Sequence, residues 1–245
     1  MSSHLSPIAV VGASGGLGAS TLALAVGRRL ADTGPPSVVV DLDLVSGGLE
    51  VTAGLEHLPG RRWDDLRDVR GRVPPEPLLS SLPGEDDCRV LSARGGSSEP
   101  VPESAVRDVL DSLAAASALV VLDVPRTSPL LGAVLAAAPL VLVLVGLRTR
   151  ALADADAVME RLADRSASPD RAADLHLVTR GRRATSAVLD DVVDHLGVPH
   201  LHHVTDDPQV IRDAERGMFP GTGRDAVRRC ADSVVDLVDG LAAAS

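Results

Sequence analysis

Short, mainly apolar runs alternate along this chain with longer stretches in which apolar residues recur at every third or fourth position. The runs at 8–11, 38–41, 89–92, 119–123, 140–145, 175–179 and 200–204 predict strands. Most are uniformly apolar rather than alternating, which predicts strands covered on both faces of a mostly parallel sheet. Between them, Leu152, Ala155, Val158, Met159 and Leu162 share one stripe, with Asp154, Asp156, Glu160 and Arg161 elsewhere on the same helix. Val227, Ala231, Val234, Val238 and Leu241 make a second such stripe near the C-terminus. The fold class this implies is α/β: a doubly wound, mostly parallel sheet with helices on both faces. No repeat or linker divides the chain, so residues 1–245 read as one domain.

Some segments invite other readings. Residues 130–147 carry no charge and reach the length of a membrane span, but Pro139 splits them into a helical half and a β-branched half. The C-terminal stripe could lie on a membrane, yet Asp225, Asp232, Asp236 and Asp239 occupy its polar side, where anionic lipid asks for cations. Core packing is the better expectation. Residues 47–104, rich in Pro, Gly and Arg, read as an excursion with short helices rather than a second domain. Within it, Trp63 pins the excursion to the core or anchors a partner, with pinning favoured. Regular alternation would place His200 and His202 on one face of their strand and His203 on the other; no further ligand completes a metal set.

The formal charge of -10 disfavours a protein that coats nucleic acid. Cys88 and Cys230 lack metal or redox spacing and read as reduced, buried thiols. The first seven residues lack the apolar run of a secretion signal, so a cytoplasmic location is expected. All 24 Lys+Arg positions are arginine, and tyrosine is absent too. Lysine-dependent catalysis is therefore excluded before any motif is considered.

The sharpest motif spans residues 8–31, IAVVGASGGLGASTLALAVGRRLA, a strand running through glycines into a helix. Such a turn presents backbone N–H groups and a helix dipole to phosphate. Gly12, Gly16 and Gly18 resemble the cofactor turn of short-chain dehydrogenases, with Asp41 or Asp43 at the ribose. That resemblance implies a catalytic Tyr and Lys that the chain lacks, leaving a non-catalytic NAD-binding relic as one alternative. Read instead as a phosphate loop, Ser14-Gly15-Gly16-Leu17-Gly18-Ala19-Ser20-Thr21 resembles the deviant Walker A motif of ParA/MinD-like ATPases, with serine and alanine at the two lysine positions.

Further blocks carry the same resemblance. VVVDLDLVSGGL at 38–49, LVVLDVPR at 119–126, and Asp206-Asp207-Pro208 followed by Ala214-Glu215-Arg216-Gly217 are similar in order to the CpaE/TadZ branch of that family. The resemblance implies a phosphate cradle from Gly15, Gly16, Leu17, Gly18, Ala19, Ser20 and Thr21, with Mg²⁺ held by Ser20 and Asp123. It implies a water-orienting role for Asp43 or Asp41 if ATP binds, and a homodimer. It further implies a localisation or scaffold role with a pilus or secretion ATPase, in Tad-type machinery or septum placement, through peripheral recruitment to a membrane or pole. No specific nucleic acid is expected. Without both lysines, weak or no ATP hydrolysis is expected, since phosphoryl transfer depends on those charges. A slow Mg²⁺-ATP dimerisation switch is the alternative. Thr179-Arg180 stands where the family commonly has an adenine-contacting Asn, and Arg126 or Arg148 could replace the lost cations.

Overall fold

The computed structural model describes residues 7–45, 48–95, 99–116, 118–163 and 173–244. The predicted strands all form: β1 (Ile8–Gly12), β2 (Ser37–Asp41), β4 (Cys88–Leu91), β5 (Leu119–Val124), β6 (Leu140–Gly146), β7 (Asp174–Gly181) and β8 (His200–Thr205). A two-residue strand, β3 (Gly84–Glu85), adds an antiparallel edge. The sheet order is β3-β4-β2-β5-β1-β6-β7-β8, and every pairing except β3 with β4 is parallel. Burial explains the uniform apolarity of the runs: every residue of β6 is buried, as are Ile8, Ala9, Val10 and Val11 of β1.

The helices cover both faces. On one side, α1 (Ala19–Thr33) packs against the long C-terminal α9 (Ala226–Ala244), joining Leu22, Val26 and Leu30 to Val227, Ala231, Val234 and Val238 in one core. On the other lie α4 (Glu103–Ala114), α6 (Thr149–Ala163) and α7 (Ser186–Leu196). The expected stripes are the buried ones: Ala155, Val158 and Leu162 in α6, and Val227, Ala231, Val234 and Val238 in α9. Residues 130–147 become α5 (Leu131–Ala137) and β6, broken at Pro139. Among the described residues no helix is long and apolar enough to cross a membrane.

The excursion between β2 and β5 carries α2 (Leu49–Thr52), a single 3-10 turn at Trp63–Asp65, α3 (Pro75–Ser80) and the β3–β4 pair. Trp63 is the pin: its side chain is fully buried, with Leu66, Leu78 and Leu82 in the same core. Beside it, buried Arg62 pairs with Glu50 of α2 and donates to the carbonyls of Leu55, Leu58 and Gly60. One arginine thereby closes the backbone polar groups of an irregular loop.

The histidine strand departs from the expected alternation. Its register moves from Leu177 opposite His200 to Val178 opposite His202, so β8 holds one extra residue at Leu201. A bulge shifts every later side chain by one position. His200 and His203 consequently meet the same buried hydroxyl, Thr179 Oγ1, each at 2.9 Å, while His202 bonds Ser233 of α9. These contacts make the histidines structural. Among the described residues no group of three or more His, Cys, Asp and Glu is placed to hold a metal ion.

Candidate functional site

The C-terminal ends of the parallel strands bring the motifs together. β1 ends at Gly12, the chain turns through 13–18, and α1 starts at Ala19 with Gly18 as its N-cap. Gly16 and Gly18 have φ of 76° and 85°, a backbone region open to glycine at no steric cost. The first turn of α1 contains no acidic residue, so its amide groups and dipole face the cleft uncompensated.

β5 lies directly between β1 and β2. Asp123 on β5 is in register with Val10 of β1 on one side and Asp41 of β2 on the other, so strand pairing itself places these acids beside the turn. This order also separates the NAD reading from the structure. Dinucleotide folds of the 3-2-1-4-5-6 order keep their first two strands adjacent, which brings the ribose-binding acid next to the glycine turn. Here a whole strand intervenes, and the dehydrogenase-like alternative loses its geometric basis.

The turn and the acids line one cleft of ≈ 850 Å³, which includes residues 14–21, Asp41, Asp43 and Asp123. Val210, Ile211 and Ala214 of α8 (Pro208–Glu215) form its far wall. The Asp-Pro block caps that helix, with Asp207 Oδ1 accepting from Gln209 N at 2.9 Å and Pro208 in the first turn. Ala214 and Gly217 end it, the Gly217 amide donating to the Ala214 carbonyl at 3.0 Å.

The acids are not equivalent. Asp41 is buried, and both its oxygens are engaged: Oδ1 by the Asp43 amide at 2.8 Å and Oδ2 by Ser92 Oγ at 2.9 Å. Its backbone carbonyl accepts the Trp63 indole N–H at 2.7 Å. Asp41 is therefore built in as a scaffold, and Asp43, less buried, is the acid that presents to the cleft. Burial pushes Asp41 up to about 7, helped by the charges of Asp123 and Asp43. Burial also raises Asp123, to about 6, against a hydrogen bond from Ser20 and with Asp43 adding to the rise. With Asp41 engaged, Asp123 beside the Ser20 hydroxyl is the pair of oxygen donors that could hold Mg²⁺, with bound phosphates completing its shell.

A pH dependence follows from these raised values. Between about pH 4 and 7 the folded chain holds protons that an unfolded aspartate has lost, so stability falls as pH rises through that window. In EDTA, urea unfolding should show a loss of about 2 kcal/mol from pH 5 to pH 8 due to Asp41. Asp41→Asn should remove most of it, since its amide can serve both Ser92 and the Asp43 N–H. An unchanged slope in that variant would place the dependence elsewhere.

The two lysine positions of the loop have particular neighbours. Ser14 Oγ donates to Asp154 Oδ2 of α6 at 2.8 Å. Ala19 is partly buried at the start of α1. The cation that reaches the turn is Arg180, from the end of β7: its Nη1 donates to the Leu17 carbonyl at 2.7 Å, and a Cβ added at Gly18 would collide with that nitrogen. Of the arginines expected near the loop, Arg126 lines this cleft and Arg148 a neighbouring one. Arg180 thus reaches the phosphate turn rather than only the adenine position that the resemblance gives it. No signal in Arg180-Gly181-Arg182-Arg183 marks that reach, because it depends on the sheet order that sets β7 two strands from β1. Thr179 cannot serve a base, being buried against two histidines.

An open parallel sheet, a phosphate turn after β1 and an acid-bearing strand at its side define a P-loop NTPase fold. More particularly, it is the fold of the ParA/MinD ATPases. A ParA family ATPase from Chlorobium tepidum superposes with a TM-score of 0.77 at 15% identity, covering 94% of this chain and 96% of that one. MinD from Aquifex aeolicus gives 0.71 at 20% identity, over 95% and 97%. The septum site-determining protein MinD of Pyrococcus horikoshii, solved with Mg-ADP, gives 0.67 at 18% identity, over 96% of each chain. No protein-family model matches the chain. In sequence it is 33% identical over 213 residues to an uncharacterized protein of Mycobacterium tuberculosis, covering 86% of this chain and 57% of that protein. The chain thus spans a little over half the length of the curated relative it matches.

Proposed function

We propose that this chain is a ParA/MinD-type localisation and scaffold protein of the CpaE/TadZ kind, serving Tad-type pilus or secretion machinery or septum placement, with weak or no ATP hydrolysis. The observation that carries the reading is the chemistry of the loop: its glycine geometry is intact, while Ser14 and Ala19 occupy the positions where the deviant Walker A motif has ammonium groups. Phosphoryl transfer is catalysed mainly by positioning and charge, so a loop that keeps its shape and loses its charge is suited to binding rather than turnover. The relatives of this fold include MinD in a complex with MinC, which supports a partner-binding role.

A second reading, a slow Mg²⁺-ATP switch controlling dimerisation, is favoured by the retained Ser20, Asp43 and Asp123. If nucleotide enters, amides of 15–19 would hold its phosphates, Ser20 and Asp123 would hold Mg²⁺, and Asp43 would orient water. The metal would supply charge neutralisation on the phosphate oxygens.

Equilibrium binding of labelled ATP, with sedimentation to follow dimerisation, separates the readings. The scaffold reading expects wild-type partner association to be indifferent to ATP, and hydrolysis to be near background. ATP-dependent dimerisation would establish the switch in its place. In that event Ser20→Ala should weaken Mg²⁺-ATP binding about tenfold and leave binding in EDTA unchanged, since only the metal-bound complex uses the hydroxyl.

A further inference from the structure

Beyond the carboxylate cleft, a second recess of ≈ 830 Å³ opens on the other flank of the phosphate turn. The two share Ser14, Gly15, Gly16, Leu17 and Arg180, but their charges are opposite. The first is dominated by Asp41, Asp43, Asp123 and Glu215; the second is lined by Arg148, Arg150, Arg180, Arg182 and Arg183 against Asp154 and Asp206. In a chain of net charge -10, this local reversal of sign is a feature of position and not of composition.

Each arginine has a place in the fold. Arg148 and Arg150 flank the start of α6, and Arg182 and Arg183 follow β7 just before the N-terminus of α7. These four are exposed, and their guanidiniums form no ion pair among the described residues. Arg180 is more deeply set and already bonds the Leu17 carbonyl, with Asp206 3.6 Å from its Nε. The first turns of both α6 and α7 contain no acidic residue, although Asp154 follows on the second turn of α6 and Thr185 Oγ1 caps α7 by accepting from the Val188 amide. Unpaired guanidinium forks, two helix starts and the outer flank of a phosphate turn face one recess, and all three favour tetrahedral oxyanions.

We propose that this second recess is an anion site for a compact polyphosphate group, held by Arg180 at its base and by Arg148, Arg150, Arg182 and Arg183 at its rim. Its size favours a small ligand over nucleic acid, which needs a basic stripe extending along the surface. The arginines lie across the turn from the acids, so binding here does not require Mg²⁺. The four rim arginines line this recess and not the first cleft, whereas Arg180 and the turn are shared by both.

Titration calorimetry of the full chain with inorganic triphosphate in EDTA tests this. Wild type should bind, with affinity falling as salt rises. The exposed quadruple variant R148Q/R150Q/R182Q/R183Q should weaken binding by about tenfold or more, and Arg180→Gln by roughly tenfold, with circular dichroism confirming that both stay folded. Whatever Mg²⁺-ATP binding wild type shows should persist in the quadruple variant, because none of its four arginines lines the first cleft, which distinguishes the two sites. Absence of triphosphate binding by wild type, or wild-type affinity in the folded quadruple variant, overturns the proposal. So does tighter binding of duplex DNA or an acidic peptide that triphosphate fails to displace.

Discussion

Trp63→Ala is expected to cost about 3–5 kcal/mol and to lower the melting temperature by roughly 10 °C. The indole is fully buried, so truncation removes the largest apolar side chain in the core and leaves a cavity that the surrounding leucines fill only partly. It also removes the donor to the Asp41 carbonyl. The Trp63 amide still bonds the Ser92 carbonyl, at 3.1 Å, so the excursion stays attached by its backbone and the damage is concentrated beside Asp41. A phenylalanine at this position restores most of the volume without the N–H, and should recover most of the loss while leaving about 1 kcal/mol for the hydrogen bond. Because this is the chain's single tryptophan, melting must be followed by circular dichroism or calorimetry rather than fluorescence. A melting temperature within 2 °C or so of wild type for Trp63→Ala would show that the excursion contributes little to the core.

Trp63 also marks how far the sequence could be read. A lone tryptophan in an irregular, arginine-rich stretch is a packing signal, and its burial follows from the area it removes from water. What it packs against is a matter of sheet order, which periodicity does not encode. The strands were legible because they are short apolar runs, and their parallel pairing because the runs do not alternate. The insertion of β5 between β1 and β2 was not, although it is what gathers Asp41 and Asp123 and sets aside the dinucleotide reading. The bulge at Leu201 was hidden for a related reason. Nothing in His200-Leu201-His202-His203 distinguishes a regular strand from one with an extra residue, and only pairing with β7 fixes which histidines face Thr179. The contact of Arg180 with the phosphate turn is not legible because it depends on the reach of a long side chain between strands distant in sequence.

Adding the missing charges should change the loop's chemistry more than any other substitution. Ala19→Lys places an ammonium at the start of α1, next to the glycine cradle, and should tighten Mg²⁺-ATP binding about tenfold through charge-assisted hydrogen bonds to phosphate. Ser14→Lys has a waiting partner in Asp154, whose carboxylate now accepts the Ser14 hydroxyl. The double variant should raise single-turnover ATP hydrolysis by on the order of 100-fold over wild type, the scale on which one preorganised donor to the transition state acts. The gain requires that charge, rather than the shape of the turn, limits the wild type. Arg180 provides the internal check, because its guanidinium leans on Gly18 and bonds Leu17, immediately before position 19. If the double variant binds ATP no better than wild type but improves once Arg180→Ala is added, steric and electrostatic competition from Arg180 is the limiting factor. If all three substitutions together still yield neither binding nor turnover, the loss of two lysines does not explain the behaviour of this loop, and the scaffold reading built on that loss fails.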